Sequence, residues 1–409
     1  MRVLARLLVL FPLLIVHPTP SAAFSVLAHQ AVIDRSWDAT LAPEIRRRFP
    51  ATDLQRARAF AYGGSHVADL GYFPLGSALF TELLHYVRTG AFIGNLIGAA
   101  HDGNEYAFAL GALAHWIADT TGHPEATNRV VAELYPKLRD EFGERVTYAD
   151  DQGAHLTTEF RFDVFQMAKT KGGRDLFHHA VQFEVATRAL DEAFQKTYGL
   201  RLDDLFVSTD AAILSYRWAF RGLIHEGTGI AWELYRADIE GLDPEMTPAG
   251  FVYDLSREDF QTEFGKAYAE PGYFAKFFAF VVKLVPNVGP LRRTVFKPLP
   301  PEARERFTTA LDHAVERYRT MVATVSGQRL DLPEQNLDTA EPIAFGDYEP
   351  ADEAYEELVE KLAKRDARQI PAALRDDVAR FYAKRPPAAG RTKDDRALDH
   401  ALANLRAAP

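Results

Sequence analysis

Cysteine is absent from the 409-residue chain. For a protein expected to be exported, that excludes a disulfide framework, so stability must come from core size and from any bound metal. Basic residues are outnumbered by acidic ones, 47 to 57, for a net charge of −10. Lys and Arg supply most of the attraction for long nucleic-acid backbones, so this balance argues against such a partner. It does not exclude smaller anionic substrates, because bound cations invert the local field. Alternating apolar runs of strand type are missing, as is any internal repeat. Beyond the first 23 residues, no uncharged stretch is long enough to span a bilayer.

Those first 23 residues read as an export leader. Arg2 and Arg6 form a positive start, Leu7–Val16 an apolar run, and Ser21-Ala22-Ala23 a small-residue cleavage site. The run is broken by Pro12 and is too short for an anchor. Cleavage would start the mature chain at Phe24 and leave 45 basic against 57 acidic residues, a net charge of −12. The mature protein is expected to be soluble and secreted or periplasmic.

Apolar residues recur at spacings of three and four, which predicts an all-α protein. Helices are expected near 29–36, 52–62, 77–100, 105–121, 126–142, 150–170, 174–197, 204–237, 257–268, 273–285, 301–325, 352–365, 371–384 and 394–406. Gly63-Gly64 reads as the stop of one helix and Pro124 as lying just beyond another. Pro333, Pro342 and Pro350 mark 327–350 as a linker or long loop, and 385–393 as a second break. The expected organisation is a leader (1–23), a helical domain (24–326), the linker or loop (327–350) and a helical C-terminal extension (351–409).

The chemistry concentrates in a few segments. In ALGALAHWIADTTGHP (109–124), His115 and Asp119 stand four apart on a helix and project from one face; His123 follows four later. His155 and Glu159 in GAHLTTEF repeat the geometry on another helix, with Asp163 one turn on. Asp69 lies in a turn upstream, His85 on the next helix, and His29 soon after the cleavage point. Imidazole and carboxylate pairs of this kind can clamp a divalent cation, and zinc accepts both. One such pair arises easily by chance; the ordered set does not.

This ordered pattern resembles the zinc-dependent phospholipase C family over residues 24–170. The resemblance implies a phospholipase C/nuclease-like helical bundle with a three-zinc site. In that family the first mature residue binds zinc through its own amine and carbonyl, a role that falls to Phe24 here. The resemblance assigns His29, His85 and His115 as zinc ligands, Asp69 as ligand and general base, and Asp119 as a bridge between two metals. His123, His155 and Glu159 correspond to the remaining zinc. The implied activity is hydrolysis of a phospholipid or another phosphodiester by metal-activated water, with peripheral membrane contact.

Three departures bear on the substrate. The four-residue gap from Asp119 to His123 is closer to the catalytic domain of glycosylphosphatidylinositol-specific phospholipase D, which cuts the other phosphoester bond. Leu70 stands where choline-preferring relatives place tyrosine. Glu159 replaces the aspartate usual in the single-strand nucleases of this fold, which share the Phe24-to-His29 spacing. The alternatives are therefore a D-type lipase, a nuclease or nucleotidase, and, outside catalysis, an inactive metal-binding structural protein. His66 is read as a partner of Asp69 or a solvated turn residue, and Trp116 as core. Tyr273–Val285 is read as a buried core helix, with an interfacial membrane-binding helix as its alternative.

Overall fold

The computed structural model describes residues 24–170, 177, 181–253, 297–325, 330–385 and 393–407. The expected leader, His178, His179 and the Tyr273–Val285 segment lie outside them. The described residues are helical, and extended pairing among them amounts to one isolated bridge between Gln335 and Pro342. No described helix is long and apolar enough to cross a membrane.

The N-terminal part comprises α1 (Val26–Ser36), α2 (Ala42–Arg48), α3 (Leu54–His66), α4 (Ala78–Tyr86), α5 (Thr89–Gly98), α6 (Gly103–Gly122), α7 (Asn128–Leu134), α8 (Pro136–Phe142) and α9 (Gln152–Lys169). Several starts follow from local chemistry. Asp53, Ser77, Asp102 and Asp151 each cap a helix by accepting N–H bonds from its first turn. Further helices follow at Thr187–Tyr198, Thr209–Leu242 and Pro301–Val325, then Glu349–Leu362, Ala372–Phe381 and Lys393–Ala407.

The helix expected over 77–100 is two helices. Arg88 adopts left-handed backbone at φ 49°, and α5 starts in a new direction from there. The helix expected over 126–142 is likewise divided at Tyr135, since Pro136 has no N–H to continue the ladder and restricts the residue before it. Helix α2 escaped the periodicity reading altogether, being only seven residues long.

Gly63-Gly64 does not stop α3, which runs on to His66. The pair serves packing instead. A Cβ on Gly64 would meet the Phe108 carbonyl oxygen at 1.9 Å, and one on Gly111 would meet that of Ala61 at 2.0 Å. Helices α3 and α6 therefore touch backbone to backbone, an approach that only glycine permits. Helix α6 is buried along almost its whole length, including His115 and Asp119. The Pro301–Val325 helix covers another side of α6, where the Tyr318 hydroxyl donates to the Leu110 carbonyl at 2.8 Å.

Candidate metal centre

The scaffold brings every expected ligand segment to one buried place. Phe24 enters beside the end of α6, where Gly122 leaves room for its ring; a Cβ there would lie 2.0 Å from it. The ring packs against Phe307 and Phe162, with centroids 5.5 and 6.3 Å away. Burial of such a side chain is worth about 1.5–3 kcal/mol and locks the position of the adjoining backbone. The Phe24 N–H then donates to Asp119 Oδ1 at 3.0 Å. Asp163 holds the same turn by accepting the Leu27 N–H at 2.8 Å. Burial raises the Asp163 carboxyl to about 7, against the hydrogen bonds that favour its charge. It anchors the start of α1.

Around Asp119 the side chains converge. His115 Nε2 lies 3.0 Å from Oδ2 and His85 Nε2 3.6 Å from it, while His29 Nε2 is 3.3 Å from Oδ1. Asp69, on the 3₁₀ turn Val67–Tyr72 that follows α3, comes within 3.6 Å of His85 Nε2. A neighbouring pocket holds His123 Nε2 and His155 Nε2, 3.2 and 2.9 Å from Glu159 Oε1. His123 Nε2 also stands 4.0 Å from Asp119 Oδ1, so the pockets adjoin. Three groups emerge whose ligand atoms lie within 4.8 Å of one another: His29, His115 and Asp119; Asp69, His85 and His115; His123, His155 and Glu159.

The donor chemistry fits zinc. His85, His115 and His123 direct Nδ1 at the carbonyls of Thr81, Ser65 and Leu337, at 2.8, 3.0 and 3.1 Å. A carbonyl can only accept, so Nδ1 carries a proton and the Nε2 lone pair of the neutral ring faces the cluster. His85 Nε2 and His115 Nε2 then face each other at 3.4 Å. Two lone pairs at that distance repel, and a cation between the pockets removes the conflict. Neither ring nitrogen of His29 or His155 makes a hydrogen bond, although both rings are fully buried. Buried polar atoms left this way are costly in a protein without an ion.

In the metal-free chain, protons substitute for cations. Burial alone would lower the His115 pKa, but Asp119, Asp69 and the hydrogen bonds outweigh it and raise it to about 9. His123 behaves alike: burial opposes protonation, yet Asp119, Glu159 and Asp338 push it up to about 10. Burial and the His115 charge bring His85 down to about 4 and hold His29 well below its ordinary value. Despite its burial, Asp119 stays well below the usual carboxylate range, because His115, His123 and His29 surround it.

Of the other residues singled out, His66 is not solvated. It is buried against Phe183, Tyr216 and Phe220, with neither ring nitrogen hydrogen-bonded, and burial lowers it to about 3. Trp116 is buried, with its Nε1–H donating to Thr89 Oγ1 at 3.2 Å. One residue near the cluster had no local signal: Asp338, buried, with Oδ1 3.7 Å from His123 Nδ1. It belongs to a proline-punctuated stretch read as a linker or loop, where no helix sets it beside another ligand.

Among the described residues, which are helical, three adjoining groups of buried imidazoles and carboxylates could each hold a metal ion, the class of site a zinc-dependent protein requires. Residues 28–206 match the zinc dependent phospholipase C family. No curated protein matches the chain, and no solved structure does.

Proposed function

We propose that the protein is an exported phosphodiesterase of phospholipase C type that holds three zinc ions and cleaves phospholipids. The family match supports zinc-dependent phospholipase chemistry. The observation that carries the site is the convergence of nine residues from the mature start to Glu159 on adjoining buried groups. His29, His115, Asp119 and the Phe24 terminus would hold one ion, Asp69, His85 and His115 or Asp119 a second, and His123, His155 and Glu159 a third. Bound zinc supplies Lewis acidity and a water acidified towards a pKa of about 7.

The chain's own residues do the rest. Asp69, 3.6 Å from His85 Nε2, orients the attacking water and takes its proton, while Asp119 is engaged by His29 and His115. Asp119 holds the two pockets in register through His29, His115 and His85. The Nδ1 bonds to backbone carbonyls keep the imidazoles from turning as charge moves. The buried surroundings exclude bulk water from the reacting phosphorus.

Leader removal is part of this reading. Before cleavage the Phe24 nitrogen is an amide and cannot ligate; afterwards it is an amine with an ordinary pKa of about 7.7–8, which zinc can deprotonate near neutrality. Its position 3.0 Å from Asp119 Oδ1 suits that change. Protein retaining one residue before Phe24 should bind one zinc fewer, by elemental analysis, and be nearly inactive. Full zinc content and full turnover in that form would remove the amine from the site.

The deciding experiment offers zinc-loaded protein phosphatidylcholine, a glycosylinositol phospholipid and single-stranded DNA in parallel, with and without chelator. Diacylglycerol from a lipid substrate supports the C-type reaction. Phosphatidic acid moves the assignment to D-type cleavage, and nucleotide release alone moves it to a nuclease. No chelator-sensitive hydrolysis at all would leave a metal-binding structural protein.

A further inference from the structure

The pocket of His123, His155 and Glu159 is closed by chain that lies far beyond the family match. From Leu332 to Asp338 the backbone follows the α4–α5 junction. Glu334 caps α5 by accepting the Gly90 and Ala91 N–H groups at 3.0 and 3.1 Å. Thr89 Oγ1 donates to the Gln335 carbonyl at 2.8 Å, and the Leu337 N–H donates to the His85 carbonyl at 3.0 Å. The next residue is thereby delivered to the cluster. Asn128 Nδ2 secures the Asp338 carbonyl at 2.9 Å, and Asn336 Oδ1 accepts the Asp338 N–H at 2.8 Å.

The Asp338 carboxylate has two unlike oxygens. Oδ2 accepts the Tyr148 N–H at 3.0 Å and the Tyr348 hydroxyl at 2.8 Å. Oδ1 makes no hydrogen bond, in a residue only 2% exposed. It lies 3.9 Å from His155 Nε2 and 3.7 Å from His123 Nδ1. Two ligand atoms on one tetrahedral zinc stand roughly 3.3–3.5 Å apart, given bonds of about 2.0–2.1 Å, so Oδ1 is close to a ligand position beside His155. A carboxylate taken out of water needs a positive partner, and its neighbours at Oδ1 are rings that serve as ligands when neutral. A cation held at His155 Nε2 stands on the side of the pocket that Oδ1 faces.

We infer that Asp338 is a metal-binding carboxylate of the third pocket, acting with His123, His155 and Glu159, so that the metal centre reaches into the C-terminal region outside the family match. The inference rests on the zinc reading above and extends it to a residue of the 330–350 stretch. One oxygen faces the pocket while the other is fixed by two donors, the arrangement of a carboxylate that ligates through a single atom and is oriented from behind.

The test compares full-length Asp338→Asn and Asp338→Ala with the unaltered protein. Zinc per chain is measured after equilibration with graded chelator, and the visible spectrum after cobalt substitution. Asp338→Asn keeps the shape and both donor contacts can rearrange, so it should fold; circular dichroism of the metal-free forms checks this. One ion should be released at about 10- to 100-fold lower chelator strength, with the others retained and the cobalt spectrum altered. An unchanged zinc profile and cobalt spectrum in both variants overturns the assignment, and a simultaneous rise in turnover would identify Asp338 as a plug in the substrate's place. If the unaltered protein binds zinc but cleaves no phosphodiester, the functional reading fails while the metal profile still decides the role of Asp338.

Discussion

His29, Asp69, His85, His115 and Asp119 are supplied by α1, the turn after α3, α4 and α6, all within residues 24–122. His123, His155 and Glu159 start from the same part of the chain but meet Leu337 and Asp338, more than 200 positions on from His123. In the first group, His115 is oriented by the Ser65 carbonyl on the neighbouring helix and His85 by the Thr81 carbonyl of its own. In the second, His123 is oriented by a carbonyl of a non-helical segment pinned to α5. The difference teaches that one half of the centre is a property of the bundle, while the other depends on a distant segment staying docked.

Asp119 is where the comparison should break most violently. Its carboxylate meets His29, His115 and His85 and approaches His123. Asp119→Asn is expected to weaken zinc binding in the first group, and hydrolysis with it, by more than the roughly 100-fold upper range for loss of a supporting residue. Elemental analysis showing undiminished zinc in that variant would sever Asp119 from the centre.

Next in size is the scaffold itself. Gly111→Ala places a methyl group against the Ala61 carbonyl, so α3 and α6 must separate. The expected cost is about 1–3 kcal/mol of unfolding free energy, read from denaturant midpoints. His115 should be displaced with α6, whereas His155 on α9 should not. If chelator titration shows both groups weakened equally, the halves are not as separable as their construction suggests.

Proton competition sharpens the same contrast. His115 and His123 are raised to about 9 and about 10 without metal. Both therefore bind protons that zinc must displace, and affinity should rise with pH by up to about tenfold per unit for each proton released, levelling off above those values. The linked effect on the metal-free fold has the opposite sense. A raised imidazole pKa stabilises fully below the ordinary value of about 6.5 and ceases to do so as pH rises through 9 to 10. Melting of the metal-free protein should thus fall from pH 7 to pH 10, while the zinc-loaded protein should lose less. A flat metal-free profile would contradict the protonated pairs.

The smallest expected effect is Tyr348→Phe, which removes one donor from Asp338 Oδ2 but leaves the Tyr148 N–H in place. It should cost about 0.5–1.5 kcal/mol, and any effect on zinc should be confined to the His123 group. Loss of zinc from the His29 group would show that the two regions communicate.

The all-α class and the paired ligands were legible because helical geometry is local. His115 with Asp119 and His155 with Glu159 share a face at spacing four wherever the helix packs. Helix breaks were less legible: the left-handed turn at Arg88 has neither Gly nor Pro to announce it. Gly63-Gly64 carried a real signal with two meanings, stop or close contact, and the contact prevailed because α6 offers Gly111 opposite. His66 looked like a turn residue because nothing nearby in the chain shows the aromatic wall supplied by Phe183, Tyr216 and Phe220.

By itself, then, the sequence determined that the chain would be helical and which faces would carry imidazole and carboxylate. Those facts depend on residue type and on a repeat of 3.6 residues per turn. Only the tertiary structure decided that these faces share one buried space, that Phe24 is seated beside Asp119 through the gap at Gly122, and that Asp338 arrives from a remote loop. Such contacts are set by packing among many elements, and no short window of sequence contains both partners.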